Sequence, residues 1–287
     1  MSKPMCDDRI LLETRLLSIL FVPILLAGFV ILYFFPDDTE RLFAWTIRPR
    51  MTPLLMGAGY IAGAYFFVRA IFATSWHQIG KGFIAVTAFT WPMGLATLLH
   101  LDRFNHGHIS FWLWTIVYLV TPFLIPALYL RNQRTDPGTL GPDDLEVPRL
   151  IRLALGAAGA AELLIGVAFF LFPSWAIAIW PWELTPLTAR VVAGWFALPG
   201  VGGLVVASER RWSASRIALE GAVIWSALLL LGAARAWGDF KLTNPLTWVF
   251  VGSLALSLLG LGALCAWMES QRGARARASM GQQAGGV

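Results

Sequence analysis

Long apolar runs separated by short polar connections dominate the chain. Eight of them lie at about Leu16 to Phe35, Pro53 to Phe72, Gly82 to Leu101, Ser110 to Leu130, Leu150 to Phe172, Ala189 to Ala207, Arg216 to Ala236 and Leu246 to Met268. A hydrocarbon layer of about 30 Å is crossed by roughly 20 helical residues, so each run is long enough to span it. The runs are continuously apolar. Barrel strands would alternate over about ten residues, and the pattern therefore predicts an all-α, polytopic membrane protein of eight transmembrane helices.

Composition agrees. Of 287 residues, 57% are hydrophobic and 14% charged, against about a quarter charged in soluble domains. The first run follows Arg9 and Arg15 but is too long for a cleaved leader and has no small-x-small site after Val30, so it reads as an uncleaved signal anchor. Cys6 and Cys265 form neither a disulfide framework nor a CxxC motif.

Eight crossings put both termini on one side. With that count, fifteen of the 22 Lys and Arg residues fall on the side of the termini and seven on the other. Basic residues are retained in the cytoplasm, which predicts a plasma-membrane protein with both ends cytoplasmic. The net charge of +5 then reflects topology and attraction to anionic headgroups, and no nucleic acid is expected as a partner.

A shift of 137 residues lays FFPDDTERLFAWTIRPRMTPLLMGAGYIAG over LFPSWAIAIWPWELTPLTARVVAGWFALPG, matching Phe35 with Phe172, Pro36 with Pro173, Trp45 with Trp182, Pro49 with Pro186, Gly57 with Gly194 and Gly63 with Gly200. A shift of 136 brings Trp76 over Trp212 and Trp112 over Trp248. The expected organisation is two tandem four-helix repeats, 1–130 and 150–268, joined by a cytoplasmic linker, 131–149, and followed by a disordered cytoplasmic tail, 269–287. Four is even, so the repeats would be parallel, about an axis along the membrane normal. Helices two and six, rich in glycine, are expected nearest that axis. The tryptophans of the outer loops are expected along the interface as an aromatic belt, or as a stacking wall for a ligand.

Candidate chemistry is sparse. Helix six carries LPGVGG, where Pro199 removes a backbone donor beside Gly200, Gly202 and Gly203; TWPMG around Pro92 in helix three is a second possible break. Glu162 lies near the middle of helix five and is expected to point into the bundle, since a charge in hydrocarbon needs a partner or a purpose. Glu220, four residues after Arg216, reads as an interfacial ion pair, and Arg235 with Asp239 as another. A small apolar or amphipathic molecule bound or carried between the repeats would meet Glu162, Gly194, Pro199, Gly200, Gly203, Glu220 and Trp182.

The outer connection HLDRFNHGHIS offers His100, Asp102, His106 and His108 as metal ligands, although their spacing matches no familiar site and a polar turn is the plainer reading. No catalytic residue or cofactor is assigned. Two alternatives remain open: a structural or accessory subunit of a larger membrane complex, and a metal-dependent membrane enzyme using that His/Asp group.

Overall fold

The computed structural model describes residues 7–139 and 144–284, with only the backbone of 276 and 278–284. Among the described residues, eight helices are long and apolar enough to span a membrane. They are α1 (Leu12–Phe34), α2 (Met51–Phe72), α3 (His77–Leu99), α4 (Ile109–Thr135), α5 (Arg149–Leu171), α6 (Pro186–Ser208), α7 (Trp212–Arg235) and the apolar part of α8 (Pro245–Arg275). A helix closes most of its backbone hydrogen bonds within the segment, the condition that hydrocarbon imposes on any spanning element.

Local chemistry shapes the helices. The last five residues of α1, Val30–Phe34, form a π-helical turn. In α6 the helix breaks at Phe196, between Pro186–Trp195 and Ala197–Ser208. Pro199 has no N–H, and its ring clashes with the carbonyl four residues back, that of Trp195, which places the break where it is seen. Pro92, by contrast, sits within a continuous α3. The terminal helix does not stop at Met268: it continues to Ala284, where the sequence reading has a disordered tail. Ala, Arg, Gln and Met are good helix formers and extend the turn already running.

Four helices form the centre. α2 packs on α7, α3 on α6, and α3 on α7, while α1, α4, α5 and α8 flank α2, α3, α6 and α7 respectively. Within the four, α3 and α7 pack against each other more extensively than α2 and α6, the pair expected nearest the axis. α2 and α6 meet where the Trp195 ring lies over Gly59, so close that a Cβ there would sit 2.1 Å from Cζ3. A large aromatic ring occupies the room that the missing side chain leaves, which is how this central contact is filled. Between α5 and α6 two backbones approach directly: a Cβ on Gly159 would lie 2.5 Å from the Gly200 carbonyl oxygen, and one on Gly203 2.5 Å from that of Leu155.

On the face opposite the termini the loops fold inward. Phe43, Trp45, Phe104 and Trp114 form one nest, with Trp45 centroids 5.0 Å from Phe104 and 4.9 Å from Trp114. Trp180, Trp182, Phe240 and Phe250 form another, with Trp182 5.3 Å from Phe240 and 5.2 Å from Phe250. Trp45, Trp180 and Trp182 are buried and Trp175 is exposed, so the expected aromatic belt is instead largely core. Indole rings mostly prefer edge-to-face packing here, and nests of four exclude more water than a ring lying on a surface.

The same backbone bonds hold both nests: Asn105 N–H donates to Ala44 and Lys241 N–H to Pro181, each at 2.8 Å. At the terminal face the indole of Trp76 donates to Gln133 at 3.1 Å and that of Trp212 to Glu269 at 2.7 Å. Asp8 accepts the backbone N–H of His77 at 3.0 Å and Asp144 that of Ser213 at 3.1 Å.

Candidate functional site

Polar side chains gather on the terminal face. α7 begins at Trp212, and residues 213, 216, 217 and 220 follow one another along one side at helical spacing. Arg216 donates through Nε to Glu220 at 2.7 Å and approaches Glu269 of α8 at 3.3 Å. From α2, Arg69 donates to the other Glu220 oxygen at 2.7 Å, and Tyr65 bonds the same oxygen. Arg272, one turn along α8, lies 4.0 Å from Glu269. The result is an alternating chain across three helices: Arg69, Glu220, Arg216, Glu269, Arg272.

The three arginines, but neither glutamate, line a cavity of about 270 Å³. Thr74, Gln78 and Ser213 add polar lining, and Phe72, Ala73 and Ile217 an apolar side. α2 ends at Phe72 and α7 begins at Trp212, so the cavity sits at the ends of two apolar spans. Its lining combines guanidinium groups with the exposed ring of Phe72.

Two further networks frame it. His77 bonds Asp8 through Nδ1 and Ser213 Oγ through Nε2, the latter at 3.0 Å. That order resembles a charge relay, but the Ser213 hydroxyl donates to Asp144, and both aspartates also cap the helix beginnings. The group serves as an anchor, because a serine proton directed at a carboxylate leaves no imidazole acceptor for it.

Beside it, the buried Arg211 guanidinium holds two carboxylates, Asp136 at 2.8 and 3.1 Å and Glu209 at 3.0 and 2.9 Å. Burial alone would raise Asp136, yet Arg211 and the Gly138 N–H hold it down to about 2. Glu209 is likewise held low by Arg211 against the opposing effect of burial.

The sequence-derived candidates are scattered. Glu220 joins the arginine cluster, pairing with Arg216 as its spacing predicts. Glu162 is half-buried on α5 and makes no hydrogen bond or ion pair among the described residues. Gly200 and Gly203 lie against the α5 backbone, and Gly194 against Met93 and Pro92; Pro199 sets the α6 break. Trp182 is fully buried and donates to Thr52 at 2.9 Å. Arg235 and Asp239 do not pair: Arg235 donates to the Tyr33 carbonyl, while Asp239 accepts the Met51 N–H and caps α2.

The outer histidines are engaged separately. His100 Nε2 faces Arg190 at 2.7 Å, and burial together with that guanidinium pushes its pKa down. Asp102 pairs with Arg103, His106 bonds the Leu101 carbonyl, and His108 accepts the Ser110 N–H as the cap of α4. Among the described residues no three His, Cys, Asp or Glu side chains form a group that could hold a metal. Cys6 lies outside the described residues.

Sequence reasoning missed Arg69, Arg272 and Arg211 as members of one region. Each looks like an ordinary basic residue at a helix end, and their partners lie far along the chain.

The fold defines a class, a multi-pass helical membrane protein. No family model, curated protein or solved structure matches this chain.

Proposed function

We propose that the protein binds a small amphipathic molecule at the terminal face, in the cavity bounded by α2, α7 and α8. One observation carries this reading: guanidinium groups and an exposed apolar side chain, Phe72, line the same 270 Å³ space. A polar head beside the arginines and a tail along Phe72 would satisfy both. Glu220 serves this site from behind the arginines; Gly194, Pro199, Gly200, Gly203 and Trp182 support the bundle around it, and Glu162 on α5 has no part in it.

Native mass spectrometry of the delipidated protein, given a panel of lipids, tests the reading. Wild type is expected to retain one amphiphile, and Thr74→Trp, which puts a bulky ring at an exposed point of the lining, to lose at least most of it. Equal retention by the two proteins would defeat the proposal. A polypeptide retained at fixed stoichiometry would instead favour an accessory subunit, a role for which α5 and α8 leave most of their surface free: only 11% and 6% of their spans are buried.

The paired nests, the paired indole bonds and the paired aspartate caps recur at offsets of 136 or 137 residues. These equivalences support a duplicated four-helix unit whose copies enter the membrane in parallel. The excess of Lys and Arg on the terminal face supports placing both ends in the cytoplasm of a plasma-membrane protein. In a background lacking Cys6 and Cys265, a membrane-impermeant maleimide is expected to label His106→Cys in intact cells and Thr139→Cys only after permeabilisation. The reverse order would overturn this placement.

A further inference from the structure

We infer that the polar end of the ligand is a phosphate group, recognised by Arg69, Arg216 and Arg272; the inference rests on the amphiphile reading above. The arrangement of charge is the argument. Glu220 is held by Arg69 and Arg216, and Glu269 by Arg216 at 3.3 Å with Arg272 at 4.0 Å. Neither carboxylate lines the cavity. The acids stand behind the cations, fix the guanidinium planes and leave one positive charge in excess, so the cavity presents N–H donors without presenting an acceptor anion.

A cation is therefore the wrong occupant. Between the anions, geometry favours phosphate. The three arginines come from three helices, α2, α7 and α8, and approach from different directions, which suits a tetrahedral group with oxygens on several sides. A planar carboxylate can be served by a single guanidinium fork, as Glu146 is by Arg210 at 2.8 and 2.9 Å elsewhere on this face, whereas a third arginine adds a donor that its two oxygens need least. Gln78 and Thr74 add neutral polar groups to the wall. The volume of about 270 Å³ is less than the roughly 300–1,000 Å³ of a site for a drug-sized ligand, so it accommodates a head and leaves a tail outside. Phosphate chemistry of this kind can come from a lipid headgroup or from phosphate free in solution.

The experiment uses the full-length, delipidated protein in a maltoside detergent. Dioleoyl phosphatidic acid, dioleoylglycerol with the same tails and no phosphate, and inorganic phosphate are the three probes. Phosphatidic acid is expected to be retained in native mass spectra and dioleoylglycerol is not. Arg272→Gln should weaken phosphatidic acid binding about tenfold, in keeping with loss of one charge-assisted hydrogen bond. Arg272 is more than half exposed and, among the described residues, pairs only through the long contact to Glu269, so this variant keeps the Arg69–Glu220–Arg216 core, and its unfolding temperature should match that of wild type.

Stabilisation by millimolar inorganic phosphate that Arg272→Gln abolishes, with no lipid retained, would assign the site to free phosphate and reject the amphiphile. Equal retention of the two lipids would reject phosphate recognition while leaving the amphiphile reading intact. Unchanged phosphatidic acid binding by Arg272→Gln would also reject it. No retention of either lipid and no response to phosphate would reject both.

Discussion

Replacing Arg211 by alanine is expected to destabilise the protein by about 3–5 kcal/mol, the typical cost of stranding a buried charge by removing its partner. Arg211 is 5% exposed, and its fork binds Asp136 after α4 and Glu209 before α7. Removing it leaves two carboxylates buried close together with no cation between them. Arg210→Ala, next in sequence, should do far less, because Arg210 and its partner Glu146 are both exposed. Thermal or chemical unfolding in micelles checks the pair, and comparable losses would mean that burial of the fork is not what matters.

The pH dependence carries the same signature. Asp136 is held to about 2, below its ordinary 3.8, so the folded state binds fewer protons than the unfolded chain in that interval. Its contribution is present above about pH 4 and is lost as pH falls through 2, about 2 kcal/mol for this shift. Glu209 shifts in the same direction. Without Arg211 the sign inverts. Two buried, unpaired carboxylates have raised pKa values, so Arg211→Ala should gain stability relative to wild type as pH falls from 7 toward 5. Parallel pH profiles would refute the assignment.

The second large effect is expected at Gly159. Its missing side chain faces the Gly200 carbonyl at 2.5 Å and the Gly203 Cα at 3.0 Å, so Gly159→Val must push α5 off α6. Overpacking typically costs about 1–3 kcal/mol, and this value should lie near the top because the obstacle is backbone rather than a movable side chain. Gly202→Ala is the matched control. A Cβ there meets nothing within 4 Å, and the change should be neutral or slightly stabilising. Similar losses in both variants would show that helix propensity, rather than the α5–α6 approach, governs these positions.

That contrast marks how far the sequence could be read. Gly200, Gly202 and Gly203 look alike in LPGVGG, and only the neighbour across the gap separates them. Glu220 with Arg216 was readable because one helix turn fixes their distance. Arg69 with Glu220, 151 residues apart, and Arg211 with Asp136, 75 apart, were not. The spans were readable, some almost to their ends: the run Leu150 to Phe172 meets a helix at Arg149–Leu171, whereas the last helix passes Met268 to Ala284. The cavity was not readable, because it needs separate helices, far apart in the chain, to converge.

The sequence by itself determined that this chain is helical, with eight segments long and apolar enough to cross a membrane, and it singled out the proline behind the break in α6. These are one-segment properties. Hydrocarbon selects an apolar helix for its own length and composition, and proline acts on its own preceding turn. The tertiary structure alone decided which tryptophans are core, that α3 packs directly on α7, and that three arginines share one cavity. Such outcomes depend on distances between side chains far apart in the chain, and those distances arise only when the helices pack.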